Sequence, residues 1–230
     1  MRRWRRWGRW GKKVQAEPER YELHFQDETH LETHPYLCRI WHRRGQQATL
    51  PGVGTNRRVS VFGSVEALGR ARLELVRAAQ DTAGFLCYLD LLEAHHQQVQ
   101  REIHLVVDNG SAHTSVASLQ ALATRSAWLH VHWLAKYAPQ LNPQEREWRR
   151  LKRDARSHPV TSLRGFVDDI VSGLYLLGGT SCTIVDEVPQ WFLDGHRKSP
   201  TGRRAGRPVG AKDPYKRAAY RQGKNLPADT

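Results

Sequence analysis

Residues 103–113, IHLVVDNGSAH, decide the fold class of this chain. Four of the first five residues are apolar, either β-branched or Leu, which predicts a short strand buried on both faces. Asp108-Asn109-Gly110 predicts the polar turn that ends this strand. Because such a strand needs cover on either side of its sheet, the segment predicts an α/β protein with Asp108 at a strand terminus.

Alternating and amphipathic segments surround this strand. The alternation in residues 21–26 predicts a first strand that ends at Asp27-Glu28, so acids are expected at the ends of two strands. Asn142-Pro143 predicts the start of a helix with Glu145 in its first turn, because Asn caps helices well and Pro fits their first position. The other predicted elements are strands at 57–65 and 71–77 that form a hairpin, helices at 85–100, 115–124 and 161–177, the last capped by Thr161, and a strand at 128–134.

Positive charge is concentrated at the two ends of the chain. The formal net charge is +13, but residues 1–13 hold seven basic residues and residues 197–230 hold ten, so the stretch between them is nearly neutral. We divide the chain into a basic Trp- and Arg-rich segment at 1–20, a globular domain at 21–196, and a basic, disordered tail at 197–230. Basic ends suit a nucleic-acid partner, or they serve solubility alone.

The cysteines and the hydropathy indicate the compartment. The three cysteines lie far apart without C-x-x-C spacing, which favours a reducing, cytoplasmic setting over a disulfide framework or a zinc knuckle. No apolar run approaches the roughly 20 residues that span a bilayer. The Arg-rich start lacks the apolar core of a secretory signal. We therefore expect a soluble protein with no membrane partner.

Trp4, Trp7 and Trp10 recur at every third position among arginines. This spacing places them along one side of a helix, which Gly8 and Gly11 weaken. A connecting helix or a DNA-contacting arm is favoured over a segment that lies on a membrane surface.

Three acids are expected to converge in space. Acids follow the first strand at Asp27-Glu28 and the fourth strand at Asp108, and a third acid, Glu145, lies on a later helix. Two divalent cations about 3.5–4 Å apart can stabilise the entering and leaving oxygens of a phosphoryl transfer, and hard cations need several carboxylate ligands. Each acid alone is more often a turn or cap residue, so only the ensemble indicates a nuclease site.

Three motifs resemble the mariner-like branch of the DDE superfamily transposases, which includes many bacterial insertion-sequence enzymes. Residues 137–145, YAPQLNPQE, with Trp148 and Lys152 downstream, resemble that family's tyrosine-x-proline-x-leucine-asparagine-proline-x-glutamate block. Residues 108–113 resemble its Asp-Asn-x-x-x-His turn, and Asp27-Glu28, with Trp41 and Gly45 downstream, resembles its first acidic motif. Lys136 and Ala138 depart from the usual Pro and Ser, but neither replaces an acid. The resemblance covers residues 21–177.

This resemblance implies a ribonuclease-H-like mixed sheet with helices on both faces, a catalytic domain at 21–196, and flexible basic termini. It implies a transposase catalytic domain that performs metal-dependent DNA cleavage and strand transfer during transposition of an insertion sequence. Asp27, Asp108 and Glu145 are implied as catalytic metal ligands for two Mg²⁺ or Mn²⁺ ions, with Asp27 contacting both. Glu28, the neighbour of Asp27, is expected to point to the opposite side of its strand.

Further residues are candidate DNA contacts. Basic residues beside a nuclease acid favour contact with the DNA backbone, and an Arg in a weak AT-hook-like Gly-Arg-Pro favours the minor groove. These candidates are Arg149, Lys152, Arg153 and Arg207. His113 is a second-tier candidate that bonds the acidic loop, contacts a DNA phosphate, or only packs at a helix start. The pairs His95-His96, His130/His132 and His30/His34 have no third ligand nearby in the sequence and are interpreted as structural.

The resemblance also implies the partners. These are DNA, both element ends and target, and further copies of the chain in a homodimer or larger assembly. Because such enzymes usually have an upstream helix-turn-helix region, we expect a separately encoded or frameshift-joined N-terminal half, or else a decayed remnant. The expected localisation is cytoplasmic, at the bacterial nucleoid. A catalytically idle, domesticated DNA-binding protein and another ribonuclease-H-like nuclease stay open as alternatives.

Overall fold

The computed structural model describes residues 8–33, 43–45, 56–69, 71–135, 141–154, 160, 162–177 and 180–185. The chain divides between residues 195 and 196 into two units, and every described element lies in the first. Trp4, Trp7, the 136–140 part of the glutamate block and the basic tail with Arg207 lie outside the described residues.

A mixed six-stranded sheet with the order β5-β4-β1-β2-β3-β6 forms the centre of the fold. The strands are β1 (Tyr21–Glu32), β2 (Arg58–Glu66), β3 (Ala71–Arg77), β4 (Glu102–Val107), β5 (Leu129–Trp133) and β6 (Thr180–Val185). The first three form an antiparallel meander, as the sequence predicts. β4 then pairs in parallel with β1, β5 pairs in parallel with β4, and β6 pairs in parallel with β3.

Helices cover both faces of this sheet, which confirms the predicted α/β class. They are α1 (Gly8–Ala16), α2 (Thr82–Val99), α3 (Ser111–Thr114), α4 (Val116–Thr124), α5 (Gln144–Asp154) and α6 (Leu163–Leu176). One core lies under α2, where Phe62 and Phe85 pack with Leu105. Another lies under α5 and α6, where Trp148 and Phe166 pack. We call these the α2 face and the α5 face of the sheet.

The first strand is longer than the sequence predicts. β1 continues past Asp27 and Glu28 to Glu32, because β2 pairs with it antiparallel along this whole segment. The expectation that these two acids lie at the end of their own strand is therefore wrong. β4 does end at Val107, so Asp27 lies inside one strand and beside the carboxyl end of its neighbour.

Several element boundaries also differ from the prediction. Ser162 caps α6, since its side chain accepts a hydrogen bond from the Gly165 amide, whereas the predicted cap Thr161 lies outside the described residues. The predicted helix at 115–124 starts one residue later, because Ser115 is its cap, and the four-residue α3 precedes it. β6 was missed, because a short edge strand that follows a Gly-Gly pair carries little periodic signal.

The N-terminal segment packs on the sheet through α1. Val14 is fully buried, and the Trp10 ring lies 4.7 Å from the His104 ring and 4.9 Å from the His132 ring between centroids. Burial of this side therefore outweighs the low helix propensity of Gly8 and Gly11. Among the described residues, no helix has the length and apolar character needed to cross a membrane.

Candidate active site

Two neighbouring strands bring the first two acids level with each other. β1 and β4 run in parallel with Phe25 opposite Val106, so the register places Asp27 beside Asp108, two residues further along each strand. Asp108 is the first residue after β4. The convergence of two sequence-distant acids thus follows from strand pairing.

Helix α5 carries the third acid over the same place. Trp148 is buried, lies one helical turn after Glu145, and packs against Gly63, where a Cβ atom would lie 2.6 Å from its Cη2 atom. Gly63 is the β2 partner of Asp27. Because Gly63 has no side chain, Trp148 can approach the sheet there and hold the first turn of α5 above Asp27.

Asn142 fixes the start of α5, as the sequence predicts. Its Oδ1 atom accepts a hydrogen bond of 3.0 Å from the Gln144 amide, and its Nδ2 atom donates one of 2.8 Å to the Gln26 carbonyl. The residue therefore caps the helix and ties it to β1 at the position before Asp27. Glu145 and Glu147 lie in the first turn of α5, where the helix dipole favours negative charge.

The electrostatics of Asp27 reflect this crowding of acids. Burial, followed by the nearby charges of Glu145, Glu28 and Asp108, raises the pKa of Asp27 to about 8. A carboxyl group with so high a pKa resists ionisation unless a positive charge compensates it. The site is therefore suited to bind a cation.

A buried histidine links Asp108 to Glu28. His113 Nδ1 lies 2.7 Å from Asp108 Oδ1, and His113 Nε2 lies 2.6 Å from Glu28 Oε1. Burial alone would lower the pKa of His113, but the hydrogen bonds with Asp108 and Glu28 outweigh it and raise the pKa to about 9. The hydrogen bond from His113 in turn lowers the pKa of Asp108, which also accepts a 2.8 Å bond from the Gly110 amide. Asp108 is thus held as an oriented carboxylate.

The position of His113 corrects one sequence-based expectation. Its side chain is 1% exposed and both ring nitrogens are occupied by carboxylates, so it is not available to a DNA phosphate. Of its three interpretations, the bond with the acidic loop and the satisfied histidine at a helix start both agree with these contacts. The expectation that Glu28 points away from Asp27 agrees with this contact, since residues alternate along β1.

The candidate DNA contacts on α5 differ in exposure. Arg149 and Arg153 are exposed, whereas Lys152 is half-buried. The Arg149 Nε atom donates to the Glu145 backbone carbonyl at 3.4 Å, so its guanidinium lies against the first turn of α5. A basic helix surface next to the three acids is an arrangement that suits a phosphate backbone.

Comparison with known proteins decides the family. The sequence profile described as DDE superfamily endonuclease matches residues 22–165. The chain belongs to this family. The matched residues include Asp27, Asp108 and Glu145, and the enzymes of this family use divalent metal ions.

Solved structures share the fold of this DDE endonuclease at low sequence identity. The Mos1 mariner paired end complex with Mn has a TM-score of 0.54 and 15% identity, over 73% of this chain and 51% of that chain. A pre-cleavage Mos1 transpososome has a TM-score of 0.53 and 16% identity, over 73% of this chain and 52% of that one. The Mos1 strand transfer complex has a TM-score of 0.52 and 17% identity, over 72% and 49%. The chain thus spans about half the length of these Mos1 chains, and curated protein sequences give no significant match.

The sequence interpretation missed one group of candidate metal-ligand side chains. Glu22, His24 and His95 place one ligand atom each within 4.8 Å of one another, the one such group of three or more among the described residues. His95 therefore has two candidate co-ligands close to it in the fold, although none lies near it in the sequence. Sequence spacing could not reveal the group, because His95 lies on α2 and the other two on β1.

Proposed function

We propose that this chain is the catalytic part of a transposase that cleaves DNA strands and transfers them to a target. Asp27, Asp108 and Glu145 are proposed as its catalytic acids and as the ligands of two Mg²⁺ or Mn²⁺ ions. The single observation that carries the proposal is that Asp27 is buried within reach of the charges of both other acids: burial first, and then the charges of Glu145, Glu28 and Asp108, raise the pKa of Asp27 to about 8. Membership in an endonuclease family supports the reaction class.

The donor set fits hard divalent cations. It consists of carboxylates, which Mg²⁺ and Mn²⁺ prefer, and the like charges in the group favour binding of a counter-charge. When bound, the cations would supply Lewis-acid stabilisation of the entering and leaving oxygens at phosphorus. The charges of both other acids act on Asp27, and it is therefore proposed to contact both ions.

The surrounding residues hold these acids in place. His113 and the Gly110 amide fix the Asp108 carboxylate, while Asn142 and Trp148 fix the helix that carries Glu145. Catalytic constellations need such support, because small displacements of the ligands cost rate. We assign these residues positioning roles.

The substrate is proposed to be DNA. Arg149 and Arg153 are exposed on the same helix as Glu145 and offer phosphate contacts next to the acids. The Mos1 neighbours are named as transposon-end and strand-transfer complexes, which supports the same substrate class here. We further propose that the chain acts on element ends and on target DNA, and that two or more copies assemble. A helix-turn-helix half on another chain is proposed as a further partner. Light scattering of the chain with and without DNA measures the assembly.

Nicking of supercoiled plasmid tests the proposal without knowledge of the element ends. We expect nicking by the wild-type chain in Mg²⁺ or Mn²⁺, none in excess chelator, and binding with little cleavage in Ca²⁺. Glu145→Gln should abolish nicking and leave DNA binding intact, because the amide keeps the shape but loses the anionic oxygen that a hard cation requires.

Glu147→Gln is the matched control on the same helix. The Glu147 carboxylate pairs with Arg72 at 3.0 Å and with Arg150 at 3.3 Å, so this variant loses an ion pair but no proposed metal ligand. It should keep its nicking activity. Wild-type rates for Glu145→Gln would remove Glu145 from the site, and DNA binding without any metal-dependent nicking would favour the idle DNA-binding alternative.

A further inference from the structure

A polar cluster lies on the α2 face of the sheet, well away from the three acids. Glu22 and His24 occupy alternate positions near the start of β1, and His95 projects from α2. Glu22 precedes Asp27 by five residues, which corresponds to about 16 Å along an extended strand. Asp27 also points to the other face, so the two groups share no ligand.

The three side chains meet at a single carboxylate oxygen. Glu22 Oε2 lies 2.9 Å from His24 Nε2 and 2.7 Å from His95 Nε2. Glu22 and His24 are 1% and 0% exposed, and His95 is 11% exposed, so the group is buried and His95 is its most exposed member. Two of the ligands lie on one strand and the third on a packed helix, which makes the arrangement rigid.

Outer contacts orient these groups. Arg101 donates to the other Glu22 oxygen, Oε1, at 2.8 Å, which leaves Oε2 directed at the two imidazoles. His24 Nδ1 lies 3.1 Å from Ser64 Oγ. When His24 Nε2 carries no proton, Nδ1 can donate to this hydroxyl, and such a bond to the second ring nitrogen is the usual support of a metal-bound histidine.

We propose that Glu22, His24 and His95 bind one Zn²⁺ ion, at a site distinct from the acids of the nuclease. Tetrahedral zinc with bonds of about 2.0–2.1 Å keeps its ligand atoms about 3.3 Å apart. The observed contacts of 2.7 and 2.9 Å therefore need to widen by only about half an ångström. A water molecule entering past His95 would complete the coordination.

The donor set selects the class of metal. Two imidazoles and one carboxylate suit Zn²⁺, Co²⁺ and related ions, whereas Mg²⁺ binds poorly to nitrogen. The all-carboxylate group around Asp27 has the opposite preference. The proposal is thus independent of the proposed nuclease mechanism, and the two sites are separable by metal.

Binding here would join β1 to α2. A ligand that binds only the folded state stabilises it, so Zn²⁺ at about 100-fold above its Kd should raise the Tm by on the order of 5 °C. Mg²⁺ should not produce this rise in a protein whose acidic site is disabled. If the ion has a structural role, loss of the ion should change the nicking activity of a chain with intact acids only a little.

The experiment uses the full chain in an Asp27→Asn and Glu145→Gln background, which removes competing binding at the acids. Elemental analysis after dialysis measures the number of Zn²⁺ ions bound per chain. In a separate sample Co²⁺ replaces Zn²⁺, and a four-coordinate site should give the intense visible absorption bands of cobalt. We expect one equivalent of metal and these bands in the background protein, and loss of both after His95→Gln or Glu22→Gln.

His130→Gln provides the matched control. His130 Nε2 also lies 2.9 Å from a carboxylate oxygen, that of Glu102, so the substitution breaks a similar pair elsewhere on the sheet. It should keep the metal. Circular dichroism confirms that each variant is folded, and His95→Gln is the safer one because His95 is partly exposed. The proposal is overturned if the folded background protein binds no Zn²⁺, if it keeps the metal after His95→Gln, or if it loses the metal after His130→Gln.

Discussion

Replacing Asp27 by Asn should stabilise the metal-free protein, and the gain should grow with pH. The pKa of Asp27 rises from its ordinary value of 3.8 to about 8 in the folded protein, through burial and the charges of Glu145, Glu28 and Asp108. The folded state therefore binds a proton at Asp27 more tightly than the unfolded state does. The stability that this proton gives to the folded state is fully present below pH 4 and is lost progressively as the pH rises to 8. Asn carries no charge and loses nothing over this range.

The magnitude follows from the two pKa values of Asp27. One pKa unit corresponds to about 1.4 kcal/mol, so the difference between 3.8 and about 8 sets an upper limit on the order of 5 kcal/mol. Solvent and side-chain rearrangement reduce it, and we expect a gain of roughly 2–4 kcal/mol at pH 8. The gain should vanish near pH 4.

Urea denaturation in excess chelator at pH 5, 6, 7 and 8 measures this gain. Asp168→Asn, at an exposed position on α6, is the matched control and should give no pH-dependent difference. Added Mn²⁺ should stabilise the wild type more than Asp27→Asn, because the variant lacks a ligand. A stability difference that is constant with pH, or a variant less stable at pH 8, would refute the proposed acidic cluster.

Three further predictions concern the support of the acids and the tail. Gly63→Ala should lower the free energy of unfolding by about 1–3 kcal/mol and reduce nicking, since its Cβ would lie 2.6 Å from Trp148 and displace α5; urea denaturation and the plasmid assay measure both. His113→Ala should weaken Mn²⁺ binding by about 10- to 100-fold, measured calorimetrically, because Asp108 loses its orienting hydrogen bond; unchanged affinity would contradict this. Deletion of residues 197–230 should flatten the dependence of DNA affinity on salt, because ten basic residues are removed; an equal slope would assign the tail to solubility.

Local sequence determined most of the elements and the order of the acids. Hydrophobic alternation and turn residues are local properties, which is why the hairpin of β2 and β3, the buried strand β4 and the start of α5 at Asn142 agree with the prediction. The motifs around Asp108 and Glu145 likewise pointed to the family that the sequence profile confirms.

Tertiary structure alone decided which residues meet. The role of His113 depends on Glu28, 85 positions away. The distance of α5 from the sheet depends on Gly63, because glycine has no Cβ atom to hold Trp148 away. Pairing with β2 extended β1 past Asp27, although its own polar residues suggest an end. Glu22 and His95 lie 73 positions apart and are joined only when α2 packs on the sheet. Such contacts follow from strand register and helix packing, which a periodic pattern does not encode.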